Sequence, residues 1–251
     1  MHAYLVWSPI DCPQAHGLGS SHNYYTPLAH TLTSAGYTCI AYDLHGSSHS
    51  PYTYVAQTVA SLAQDAIDLL DALSVPTATF VGHSMSGITG PELAASFPDR
   101  ITAIVLIGPV YPSESLAPVF EDRIAKVTAN GMEAMADTIP FSALGSRAGA
   151  LHRAFVRELI MGVEAQGYVG LCAVIAGAWK AKPNYARIQC PVLVVAGDED
   201  KSAPLEGCER IVKEVASQKK DLKVLKEVGH WHCVEAPEET AERIMEFLAS
   251  A

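Results

Sequence analysis

Residues 78–87 read Ala78-Thr-Phe-Val-Gly-His-Ser-Met-Ser-Gly87, and this stretch decides the fold. Apolar and β-branched residues run straight into Gly-x-Ser-x-Ser-Gly, and a helical pattern with Leu93, Ala94 and Phe97 follows. A sharp strand-to-helix turn that lifts a serine above a sheet needs small neighbours, because the backbone there is strained and closely packed. Ser84 is therefore the candidate nucleophile; the plainer reading is a capped helix start with a solvated serine. Ser86 stands where a final glycine is usual, a small-for-small exchange that Gly87 eases.

Outward from this turn the chain alternates short apolar runs with amphipathic stretches. Tyr37–Tyr42, Ala78–Val81 and Ile101–Ile107 are near-continuously apolar, as strands covered on both faces must be. Between the first two, residues 54–74 place Val55, Val59, Leu62, Ala66, Leu69, Leu70 and Leu73 at helical spacing, with Asp65, Asp68 and Asp71 opposite. The scheme repeats with a predicted strand at Val192–Ala196, a helix at Leu205–Ser217, a strand at Leu222–Val228 and a closing helix from Pro237. Lys219, Lys223 and Lys226 mark that last strand as an edge. Successive βαβ units predict an α/β fold, a mostly parallel sheet with helices on both faces. Residues 111–186 lack convincing strands and read as short helices broken by glycines and Pro140. They are expected to form an inserted helical cap on a core made of residues 1–110 and 187–251.

Composition narrows the partners. The chain has 251 residues, 49% hydrophobic and 18% charged, with 27 acids against 17 bases and a net charge of −10. Such a balance suits a well-filled interior and gives no electrostatic footprint for nucleic acid or an anionic membrane. The longest strongly apolar run, Ile101–Val110, is far below the ~20 residues that span a bilayer. MHAYLVWSPIDCPQ at the start has no basic head, so a cytoplasmic location is the default expectation. Six cysteines are scattered without a C-x-x-C pair and read mostly as buried thiols. No zinc-finger spacing or H-E-x-x-H occurs, so neither a metal nor a cofactor is implied.

A serine nucleophile needs a base from elsewhere in the chain. Val228-Gly-His-Trp-His-Cys-Val-Glu-Ala-Pro237 places His230 just past the last strand, with His232 as its nearest competitor. Ala196-Gly-Asp-Glu-Asp-Lys-Ser-Ala-Pro204 offers Asp200, and secondarily Asp198, to orient the imidazole. The order Ser84, Asp200, His230 on an interrupted parallel sheet resembles the α/β-hydrolase superfamily. The resemblance spans residues 15–250 and rests also on His16-Gly17-Leu18-Gly19, Asp43 with Gly46, G-x-x-D-x-x-x-P at 197–204 and G-H-x-x-x-x-E-x-P at 229–237. It implies an oxyanion hole formed by the backbone N–H groups of Leu18 and Met85. One departure is the start. Family members run a strand directly into His-Gly, whereas residues 8–15 contain Pro9 and Pro13, which do not suit a central strand. Residues 8–15 are expected to be an inserted loop, the other option being a truncated start. Asp43 and His45 are expected to be structural.

The small size, single cap and HGLGSS, GHSMSG and GHWHCVEAPEE segments look most like small-molecule esterases and lactonases, including 3-oxoadipate enol-lactonase-like members. That implies hydrolysis of a small apolar ester or lactone through an acyl-enzyme at Ser84, by a monomer or homodimer. Tyr25, Tyr111, Trp179 and Trp231, with Tyr24 and Phe141, are candidate walls of an apolar pocket, against the plain alternative that they are core. No cap arginine stands out as a carboxylate ligand, although Arg123, Arg147, Arg153 and Arg157 are available. Two other readings stay open: a ligand-binding receptor of the same fold with slow or no turnover, and a cofactor-free C–C bond hydrolase or perhydrolase.

Overall fold

The computed structural model describes residues 3–5 and 11–250. Its strands are β1 (Ala3–Leu5), β2 (Asp11–Ala15), β3 (Thr38–Tyr42), β4 (Ala78–His83), β5 (Ile101–Ile107), β6 (Val192–Gly197) and β7 (Lys220–Leu225). They form one sheet in the order β1-β3-β2-β4-β5-β6-β7, with β1 antiparallel to β3 and every other pair parallel. The helices are α1 (Thr26–Ser34), α2 (Val59–Ala72), α3 (Ser86–Ser96), α4 (Ala117–Asn130), the single turns α5 (Glu133–Ala136) and α6 (Ile139–Ser142), α7 (Ala150–Met161), α8 (Ala165–Gly177), α9 (Leu205–Glu214), the single turn α10 (His232–Glu235) and α11 (Pro237–Leu248). Helix α1 packs against α11 and α2 against α3, so the expected mostly parallel sheet with helices on both faces is present. No single helix among the described residues is long and apolar enough to cross a membrane.

The start of the chain corrects the expectation for residues 8–15. Residues 11–15 are neither an inserted loop nor missing; they form β2 in the middle of the sheet and lead straight into His16-Gly17. Pro13 is accommodated because β2 is paired on one side only at that point. It lies opposite Ile40 of β3, while the ladder to β4 begins one residue later, at Gln14 opposite Val81. A residue without an N–H is tolerated where a ladder is incomplete. Pro9 lies outside the described residues.

Two other boundaries shift for local reasons. Helix α2 begins at Val59 because Thr58 and Ser61 exchange side-chain-to-backbone hydrogen bonds of 3.0 and 2.8 Å, a capping box that fixes the first turn. The last strand ends at Leu225, since Glu227 takes a positive φ of 58° and turns the chain. Strand β7 pairs only with β6, which leaves Lys220 and Lys223 on the edge where such residues discourage further pairing. Central strands β4, β5 and β6 are almost wholly buried, matching their apolar runs.

The strand order reverses at β2, which lies between β3 and β4. Crossovers then leave in opposite directions and open a crevice at the carboxyl ends of the strands. Ala15 sits opposite Gly82 there, so the segments that follow β2 and β4 emerge side by side. Between β5 and β6 the chain forms only helical elements, in which α4 packs along α8.

Candidate active site

Ser84 occupies the turn between β4 and α3 with φ at 55°, in the left-handed region that a side chain seldom adopts. Such a conformation costs roughly 1–3 kcal/mol and persists only where the surroundings enforce it. Here its N–H donates to the Ile107 carbonyl at 2.9 Å, and its own carbonyl accepts the N–H groups of Gly87 and Val110 at 2.9 and 3.1 Å. Small residues are required around the turn. A Cβ on Gly82 would fall 2.5 Å from the Ser86 carbonyl oxygen, and one on Gly17 would fall 2.8 Å from the Ser84 Cβ. The second contact shows how closely the His16–Gly19 segment passes the serine.

Ser86 has a specific contact at the position where glycine is usual. Its buried hydroxyl donates to the His16 carbonyl at 2.7 Å and so ties the start of α3 to the segment after β2. The backbone N–H groups of Leu18 and Met85 have no hydrogen-bond acceptor among the described residues.

The elements on the other side of Ser84 deliver its partners. The Ser84 hydroxyl lies 2.8 Å from His230 Nε2, and His230 Nδ1 lies 2.8 Å from Asp200 Oδ2. Asp200 follows β6, and its other oxygen accepts the N–H groups of Ser202 and Ala203, both at 2.8 Å. Burial alone would raise the Asp200 pKa, but the His230 charge and hydrogen bond, with the Ala203 N–H, bring it below the usual carboxylate value. An ionised Asp200 fixes the proton of His230 on Nδ1, which leaves Nε2 free to accept from Ser84.

His230 is held from behind. Its carbonyl accepts from His83 Nε2 at 2.8 Å, and its N–H donates to the Ala143 carbonyl at 2.7 Å. Burial drives the His83 pKa well below normal, so that ring stays neutral. Glu235, the acid of the final sequence motif, is buried and accepts the N–H groups of Gly145, Gly229 and Trp231 at 2.6, 2.9 and 2.8 Å. It therefore braces the His230 segment against the helical insertion. Asp198 is exposed, ion-paired to Lys226 at 3.3 Å and bonded to the Glu227 N–H at 2.7 Å, so it shapes the surface turn. His232 lies behind the site, with Nδ1 3.0 Å from the His230 carbonyl and a pKa lowered by burial to about 4.

Ser84 and His230 open into a cavity of about 450 Å³ whose walls include Leu18, Phe120, Ile139, Ile175 and Trp231. Of the pocket candidates, only Trp231 lines it. Tyr25 is core, almost fully buried with its hydroxyl donating to the Ala15 carbonyl at 2.9 Å, and Tyr24 is core stacked on His83 with centroids 4.2 Å apart. Tyr111 lies against Lys182, Arg210 and Glu214 beside a separate surface cleft, and Trp179 packs near Lys180. Phe141 is exposed to solvent. These aromatics were not separable by sequence, since an aromatic fills a core and a pocket wall equally well.

The lining is mostly apolar as expected, but Arg123 and Lys201 also border the cavity and no acidic side chain does among the described residues. No carboxylate lies within ion-pair distance of either cation among those residues. Arg123 sits 5.0 Å above the Phe120 ring on the same helix, whereas Arg147 and Arg157 are engaged by Glu239 and Asp137. Arg153 lies over the Phe141 ring, away from this cavity. The helical period of α4, which puts Phe120 and Arg123 on one face, was the available sequence signal for this pair.

Comparison with known proteins identifies the family. Residues 15–243 match the model of the alpha/beta hydrolase family. The chain is 31% identical over 259 residues to RutD of Variovorax paradoxus (strain S110), a carbamate hydrolase by name, covering 98% of this chain and 95% of that protein. It is 30% identical to 3-oxoadipate enol-lactonase 2 of Acinetobacter baylyi (strain ATCC 33305 / BD413 / ADP1), over 80% of this chain and 75% of that one. The crystal structure of the enol-lactonase from Burkholderia xenovorans LB400 superposes with a TM-score of 0.88 at 23% identity, covering 99% of this chain and 96% of that chain.

Proposed function

This chain belongs to the alpha/beta hydrolase family, and from that premise we propose that it is a serine hydrolase that cleaves a small ester or lactone bearing a carboxylate. The observation that carries the reading is the continuous relay of two 2.8 Å hydrogen bonds from Ser84 through His230 to Asp200, opening on the cavity. The Ser84 oxygen attacks the substrate carbonyl as its proton passes to His230 Nε2. Asp200 stabilises the imidazolium without taking the proton. The oxyanion accepts from the Leu18 and Met85 N–H groups, donors fixed in place before the reaction and otherwise unclaimed. Collapse of the tetrahedral intermediate releases the alcohol, which takes the proton from His230. Water then enters and loses a proton to His230 as it attacks the acyl carbon, and the acid is freed as the Ser84 oxygen takes that proton back.

Residues 111–186 act as the cap over this site and supply Phe120, Arg123 and Ile139 to its wall. Arg123 and Lys201 support the carboxylate specificity. A guanidinium beside an apolar ring, with no acid nearby, matches a substrate carboxylate in charge and in planar shape.

The test is a matched pair of substrates, a p-nitrophenyl monoester of a dicarboxylic acid and its neutral methyl-capped counterpart. Ser84→Ala should abolish turnover of both, while Arg123→Gln should raise KM for the charged ester ~10-fold or more and leave the neutral one nearly unchanged. Equal KM values for the two esters in the unaltered enzyme would remove the carboxylate from the proposal. Full activity in Ser84→Ala would remove the mechanism.

A further inference from the structure

A second cluster of chemistry-bearing side chains lies on the far side of the His16–His22 segment and takes no part in the relay. Asp43 directly follows β3, is fully buried, and offers its two oxygens to two different histidines. Oδ1 accepts the His22 backbone N–H at 2.8 Å and faces His22 Nδ1 at 2.9 Å. Oδ2 accepts the His49 backbone N–H at 3.2 Å and faces His49 Nδ1 at 3.3 Å, a nitrogen that the exposed Ser48 hydroxyl also meets at 3.1 Å and must release when an ion enters. We propose that His22, Asp43 and His49 bind one divalent transition-metal cation of the zinc type.

The geometry is close to what such an ion requires. One donor atom from each residue lies within 4.8 Å of the others. Zinc–nitrogen and zinc–oxygen bonds of ~2.0–2.2 Å imply donor separations of ~3.4 Å in a tetrahedral site; the two Nδ1 atoms already lie 2.9 and 3.3 Å from the Asp43 oxygens, and the widest donor pair, within 4.8 Å, must draw together as the ion enters. The two backbone N–H bonds to Asp43 are independent of the imidazole nitrogens and keep the carboxylate oriented when the ion enters, as outer partners of metal ligands commonly do. Each histidine then binds through the Nδ1 lone pair of its Nε2–H tautomer, so no net proton is released from a neutral ring. Two imidazoles with one carboxylate favour zinc, cobalt or nickel over magnesium or calcium, which prefer oxygen.

His16, although 4.0 Å from Asp43, is not a ligand. Its Nδ1–H donates to the Gly17 carbonyl at 2.8 Å, and its Nε2 accepts the Leu44 N–H at 3.1 Å, so both nitrogens are committed. A separate observation points to a bound species at this place. A cavity of about 370 Å³ borders His22 and His49, and Gln14 lines it too. The Gln14 side chain is 1% exposed, yet its amide finds no hydrogen-bond partner beyond the neighbouring Cys39 thiol. A water completing the coordination of the ion would give the amide oxygen a donor. The ion would clamp the segment after β2, which carries Leu18, to the segment after β3.

Isothermal titration of the intact protein with ZnCl2, and with CoCl2 to read the visible spectrum of the bound ion, tests this. One ion per chain is expected, and zinc a hundredfold above its Kd should raise Tm by ~5–10 °C for a domain of this size. His49→Gln, at a ring that is 59% exposed and so does not threaten the fold, should abolish that binding and the Tm gain, as should His22→Gln. Absence of one-to-one binding, or binding of unchanged affinity in either variant, would overturn the proposal. Magnesium giving the same Tm gain would overturn the choice of ligand chemistry.

Discussion

Asp198 and Asp200 lie two positions apart on one turn and have opposite surroundings. Asp200 is buried, with one oxygen on His230 and the other on two backbone N–H groups, whereas Asp198 faces solvent and Lys226. Asp200→Asn should therefore lower kcat by ~10⁴-fold, since an amide favours the wrong histidine tautomer. Asp198→Asn should change kcat less than about threefold, because its ion pair is a surface one. Steady-state kinetics on a neutral activated ester measures both, and a reversed pattern would put the orienting acid at Asp198. Ser84, His230 and Asp200 were legible because each sits in a local motif at a strand end. Arg123 and the Ser86 tether were not. A cavity-facing arginine differs from a solvated one only in what other segments place opposite it, and the Ser86 contact joins positions 70 residues apart in sequence.

At the scale of elements, the apolar runs revealed the central strands because burial on both faces leaves no room for polar residues. Strand β2 was hidden by Pro13, and the reason it forms lies in the ladder: pairing to β4 starts only at Gln14. The helical period carries the predicted helix back to Val55, yet Val55 is exposed and the capping box at Thr58 sets the start of α2. Thr58→Ala should thus cost ~1 kcal/mol by removing the side-chain acceptor for the Ser61 N–H, without affecting turnover. For a domain of this size that is a Tm decrease of ~2–4 °C, readable by calorimetry. No change in Tm would mean that the first turn of α2 is held by its packing alone.

For the whole molecule, the buried histidines set the acid limit of stability. His232 has its pKa lowered by burial from 6.5 to about 4, and burial also lowers those of His16 and His83. Between these values the unfolded chain takes up a proton that the folded chain does not. The His232 contribution is therefore complete above pH 6.5 and is lost as pH falls toward about 4, a change of about 3 kcal/mol. Asp200 and Asp43, whose folded values are lowered, add a further loss at still lower pH. Urea unfolding from pH 7 to 4 should show this decline, and His232→Gln should flatten it by about one proton; an unaltered slope in that variant would remove His232 as a source. Everything in the proposed chemistry depends on the hydroxyl of Ser84 being activated by His230. The most direct test of that activation is to treat the protein with a fluorophosphonate and map the adduct by peptide mass spectrometry. One adduct is expected, on Ser84, and none in His230→Ala; an adduct on another serine, or equal labelling without His230, would rule this activation out.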